Sequence, residues 1–156
     1  MFRRCLTLSA AAGAVAVASL VVAVGASLAG DDDAKEKSAL AKMMIKIDKD
    51  TKLVREGTKS LTKFKKANSG KDVAKAAGEI AKYAKEFRDM KEPSEKMKKP
   101  FSKWTDLTDR YETAARDMEK AAAKGDFAAS QKAWNPLYVS CSNCHGAFRP
   151  EVGDGF

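Results

Sequence analysis

The chain has 156 residues, with 29 Lys+Arg, 21 Asp+Glu, one His and three Cys. That length suits one domain: too short for a multi-domain enzyme, and long enough to fold without a disulfide framework. A formal charge of +8 raises nucleic acid, a membrane surface or an acidic protein as partners, but no nucleic-acid motif is present.

Met1 to Ala29 carries Arg3 and Arg4, no acid and a long apolar run. A basic start, an apolar core to about Leu28 and Ser27-Leu28-Ala29 before Gly30 form the pattern of an export signal. Segment 1–29 is therefore expected to be a cleaved signal peptide, and 30–156 the mature domain. The apolar run is also long enough to span a bilayer, so an uncleaved anchor is the competing reading. Cleavage predicts a periplasmic or otherwise exported chain with no membrane attachment. Cys5 leaves with the signal. The remainder holds 27 basic and 21 acidic residues, a charge of +6, together with Cys141, Cys144 and His145.

Ala, Lys, Glu, Leu and Met dominate the mature part, and only four Val and three Ile follow Gly30, so strands have little to be built from. A first helix is predicted from about Glu36 to Lys66. Its apolar stripe is Leu40, Met44, Ile47, Thr51, Val54, Thr58 and Leu61, and Asn68-Ser69-Gly70 stops it. A second runs from about Asp72, a candidate N-cap, to Lys91, with Val73, Ala76, Ala77, Ile80, Tyr83, Ala84, Phe87 and Met90 inward and Pro93 as its stop. A third begins near Pro100 and ends at Lys124-Gly125, with Phe101, Trp104, Leu107, Tyr111, Ala114, Ala115, Met118 and Ala122 inward. A fourth starts at Asp126 and runs to about Arg149, with Phe127, Trp134, Leu137, Tyr138, Cys141 and Phe148 inward. Pro136 should kink or divide it, and Pro150 stops it. Four amphipathic helices with short connections imply an all-α, up-down-up-down four-helix bundle.

Cys141-Ser142-Asn143-Cys144-His145 is the attachment signature of c-type haem. Two thiols three positions apart on a helix reach the two vinyl groups of one haem. The adjacent imidazole then supplies an iron ligand. A zinc site needs a further ligand that no remaining Cys or His provides. A thioredoxin-like pair belongs in a βαβ setting, and a plain disulfide leaves the histidine without a reason. Those three remain as alternatives to one covalent haem c.

At these residues the sequence resembles the class II cytochromes c, the cytochrome c′ family. The likeness covers the mature chain in architecture. It is sharpest from Lys124 to Arg149, where Gly125-Asp126, Trp134, Cys141 to His145, Phe148 and Arg149 match the family's C-terminal pattern and Pro136 stands outside it. The resemblance implies that Arg149 lies beside the haem near His145. It also implies a choice between two branches. A five-coordinate branch binds nitric oxide and carbon monoxide, and a six-coordinate branch takes a Met from the first helix and transfers electrons.

In such a bundle the end of the fourth helix lies beside the start of the first, where Leu40, Met43 and Met44 sit. Met44, on the apolar stripe, is the first candidate for the sixth ligand and Met43 the second. Leu40 at that face would leave it open. The expected function is a single-electron carrier and not an enzyme, with gas binding as the alternative. The excess positive charge would steer an acidic redox partner, and a homodimer is compatible with the family. Export removes nucleic acid from consideration.

Overall fold

The computed structural model describes residues 38–149; the signal segment at 1–29, the cut before Gly30 and the stop at Pro150 lie outside the described residues. The described residues hold α1 (Ala39–Thr58), α2 (Leu61–Lys65), a 3-10 turn (Lys66–Asn68), α3 (Ser69–Arg88), α4 (Glu92–Lys96), α5 (Phe101–Ala123) and α6 (Phe127–Phe148). The four long helices close a ring in which α1 touches α3, α3 touches α5, α5 touches α6 and α6 returns to α1.

Side-chain pairs at the helix ends set the directions. Gly57, late in α1, meets Val73, early in α3. Phe87, late in α3, meets Trp104, early in α5, at 5.6 Å between ring centroids. Trp104 meets Phe148, at the end of α6, at 5.1 Å. Phe64, just beyond α1, meets Phe127, at the start of α6, at 5.5 Å. Successive long helices are therefore antiparallel, and the all-α, up-down-up-down bundle is the observed architecture.

Polar side chains decide where the helices start and stop, and here the structure departs from the periodicity. The first predicted helix is broken in two. Thr58, buried, turns its hydroxyl back to the carbonyls of Val54 (2.8 Å) and Arg55 (3.2 Å). Ser60 then adopts an extended backbone and accepts from the Lys63 N–H at 3.2 Å, capping α2. The break turns Leu61 out to 45% exposure and puts Phe64 in the core instead. Glu56 ties the corner by pairing with both Lys59 and Lys63.

Asp72 is not the N-cap of α3 but lies in its first turn, where a carboxylate suits the positive end of the helix dipole. The helix starts three residues earlier because Asn68 takes the left-handed conformation, φ 61°, that reverses the chain. Pro93 opens α4 rather than ending the second helix, which stops at Arg88. Pro is tolerated in a first turn because its missing N–H would have no partner there. Pro136 does not divide α6, which is continuous from Phe127 to Phe148. Gly125 (φ 70°) and Asp126, which accepts from the Ala129 N–H at 2.9 Å, form the α5–α6 corner as expected.

The core is the shared face of α1, α3, α5 and α6. Val54, Val73, Ile80, Phe87, Trp104, Met118 and Leu137 are fully enclosed, each contributing roughly 1.5–3 kcal/mol through burial. Trp104 spends its indole N–H on the Phe87 carbonyl at 3.1 Å.

Gly57 marks a close approach of α1 to α3, because a Cβ there would drive into the Val73 side chain. Gly57→Ala should lower stability by about 1–3 kcal/mol through overpacking. Thermal unfolding of the intact protein checks this. Adding Val73→Ala to the variant should recover part of the loss, whereas Val73→Ala alone should only destabilise.

Candidate functional site

Cys141, Cys144 and His145 occupy the last two turns of α6. Spacings of three and four put the two sulfurs and the imidazole on one helical face. Both cysteines are free thiols. They are half-buried and packed against the hydrophobic core. Burial pushes the Cys141 thiol up to about 11 and the Cys144 thiol, which also feels Cys141, to about 12. A thioredoxin-like pair instead has a thiol lowered toward neutrality. His145 is half-buried with its Nδ1 closed off from solvent. Burial, and secondarily the charge of Arg149, lowers its pKa, which favours the neutral imidazole an iron ligand requires. Among the described residues no group of three or more His, Cys, Asp and Glu is arranged to hold a bare metal ion.

The end of α6 is held from outside. Lys99, in the turn before α5, donates to the Ala147 carbonyl at 2.5 Å. Its ammonium also lies 5.8 Å from the centre of the Phe148 ring. Phe148 stands edge-on to Trp104. The helix stops there: Arg149 has left it, with φ −147° and ψ 59°, and its N–H closes on the His145 carbonyl at 2.7 Å. Arg149 is thus exposed beyond the helix and does not continue the His145 face.

Opposite the thiols, Tyr111 of α5 is sealed in the core. Its hydroxyl interacts with Cys141 of α6 and Thr51 of α1, without reaching full hydrogen-bond geometry to either. An unmade bond of this kind costs roughly 1–3 kcal/mol. Burial pushes the phenol pKa well above its usual value, so the group remains a neutral donor. Neither Tyr111 nor Lys99 stood out as a site residue in the sequence. A tyrosine on a core stripe is a signal that its hydroxyl needs a partner, and that signal was available.

Thr51 and Cys141 both neighbour the Tyr111 hydroxyl, so the antiparallel α1 and α6 meet in that region. Counting ~1.5 Å per residue from there puts Ile47 near the level of His145 and Met44 near that of Phe148. Met43 and Met44 are half-buried against the core, as is Leu40. Leu40 falls a further turn out, beyond the end of α6.

A family model described as cytochrome C′ matches residues 34–149. The chain belongs to that family. No curated protein and no solved structure matches the chain significantly. Membership in the cytochrome c′ family implies a c-type haem bound covalently, and the donor set fits it. Two half-buried thiols one turn apart would carry the thioethers, and a neutral imidazole on the same face would bind the iron.

Lys99→Met should destabilise the haem-bearing protein by about 1.5–3 kcal/mol, the range for a hydrogen bond to a charged group. Lys96→Met, at an exposed position in the same segment, should stay within about 0.5 kcal/mol of the parent. Equal melting temperatures for the two variants would remove Lys99 from the support of α6.

Proposed function

We propose that this member of the cytochrome c′ family is an exported, monohaem electron carrier and not an enzyme, with Met44 as sixth iron ligand and Met43 as second candidate. The level of Met44, about one turn along the bundle from that of His145, carries the reading. A thioether at that level has a flexible side chain to reach toward the imidazole. It is also a soft ligand that favours ferrous iron. The haem, when bound, supplies a one-electron change at iron. Cys141 and Cys144 tether it, and His145 remains neutral because its surroundings disfavour a second proton. The clasp of Lys99, Trp104 and Phe148 holds the helix end that aims the imidazole. The charge of +6 beyond Gly30 suits an acidic redox partner. The second reading is a five-coordinate, gas-binding haem. Leu40, half-buried on the same stripe as Met44, favours it if neither Met ligates.

An absorption spectrum of the reduced protein with and without carbon monoxide separates the two. The carrier should be low-spin and take up carbon monoxide poorly, because the thioether must first detach. Met44→Ala should turn it high-spin and lower the reduction potential, each ~59 mV being a tenfold shift in the one-electron equilibrium. Met118→Ala, at the far end of α5, should cost stability and leave the spectrum alone. A parent protein that is high-spin and binds carbon monoxide readily replaces the carrier reading with gas binding.

Export is tested by intact mass. The haem-bearing chain should correspond to residues 30–156 plus one haem. A chain that keeps Met1 would point to a membrane-tethered cytochrome. Among the described residues no helix is long and apolar enough to cross a membrane, so the tether would have to be the N-terminal segment.

A further inference from the structure

We propose that Tyr111 is a positioning residue for the haem, donating its phenolic O–H to the Cys141 sulfur once that sulfur has become a thioether. Tyr111 is only 5% exposed, and its buried hydroxyl, beside Cys141 and Thr51, makes no hydrogen bond of full geometry. Packing does not require that oxygen. The ring stacks on Phe87 at 6.4 Å with 21° between planes, a contact that phenylalanine would make equally well. A core that retains an unspent donor next to Cys141 is explained if an acceptor is created there.

Attachment creates one. The thiol S–H adds across a vinyl double bond: a carbon–sulfur bond forms, the thiol hydrogen goes to the neighbouring vinyl carbon, and nothing is oxidised or reduced. The sulfur of Cys141 changes from a group with its own hydrogen to a pure acceptor. Tyr111 is the enclosed donor beside it, and Thr51, across on α1, is the other polar neighbour of its hydroxyl. A hydrogen bond at this sulfur would fix its torsion against the helix and draw electron density from the haem edge. The inference rests on covalent attachment at Cys141. It is independent of the sixth ligand, so the carbon monoxide spectrum bears on the carrier reading and not on this one.

The chain has three tyrosines, so Tyr83→Phe with Tyr138→Phe leaves Tyr111 alone in the haem-bearing protein. Ultraviolet resonance Raman of that background should give a donor signature for tyrosine. The signature should vanish when Cys141→Ala is added and the haem is held by Cys144 and His145. In the otherwise unaltered chain, Tyr111→Phe should keep haem and helix content. It should raise the fraction of chains with a single thioether above that of the parent. It should also lower the potential by up to about a tenfold shift in the equilibrium, ~59 mV. Thr51→Val should change none of these. A donor signature that is absent, or that survives Cys141→Ala because Thr51 or an enclosed water is the acceptor, overturns the proposal. So does a Tyr111→Phe protein that matches the parent in both attachment and potential. If Tyr111→Phe does not fold, the Raman comparison decides alone.

Discussion

The end of a helix is where backbone hydrogen bonding runs out, and α6 carries Cys141, Cys144 and His145 in its last two turns. The final carbonyls of any helix lack intrahelical partners. An imidazole mounted on such an end is aimed only as well as that end is held. Here the holding is tertiary. Lys99 caps the Ala147 carbonyl, and its charge also suits the negative end of the helix dipole. Phe148 is pinned against Trp104, which is fixed in turn by its bond to the Phe87 carbonyl and its contact with the Phe87 ring. One buried indole thus links α3, α5 and the end of α6. The ring of four helices can be seen as the frame that brings Trp104 to Phe148.

Burial sets the chemical character of the site. Thiols pushed up to about 11 and 12 are protonated near neutrality. They are therefore poor nucleophiles and slow partners in disulfide exchange. The lowered pKa of His145 leaves a ring able to ligate. The same desolvation acts on all three groups in the direction of neutrality, which is the state in which a bundle can enclose them cheaply. A site built for redox exchange at the sulfurs themselves would need one of them stabilised as thiolate, and no cationic side chain is among the causes acting on either thiol.

Much of the fold was legible because amphipathic period and strong punctuation agreed at several corners. Gly125 with Asp126 and the Pro100 start of α5 combine backbone preference with a clear change of period. The misreadings share a cause: residues whose role depends on context. Thr58 and Ser60 break α1 from α2, but Thr and Ser with the same neighbours can ride inside a helix. Pro93 can end one helix or begin the next. Leu61 and Phe64 exchange core and surface because the break rotates the stripe. At the site, the Cys-Ser-Asn-Cys-His run was legible because its chemistry is local in sequence. Lys99 and Tyr111 were not, because what marks them is a partner 48 residues away in one case and a missing partner in the other.

The same contrast separates the two sides of the iron. The proximal side is written within five residues of one helix, so membership in the cytochrome c′ family and the structure of α6 both speak to it. Under the proposed reading the distal side comes from α1, roughly a hundred residues earlier, and its register against α6 is set by packing. Fixed contacts carry that register: Tyr111 between Thr51 and Cys141 at mid-bundle, and Phe64 against Phe127 at the far corner. A slip of one helical turn, about 5.4 Å, would bring Leu40 to about the level of Met44. That turn is the difference between a soft ligand on iron and an aliphatic side chain over an open face. On the proposed reading, the choice between electron transfer and gas binding therefore turns on how the core side chains of α1 seat against α5 and α6.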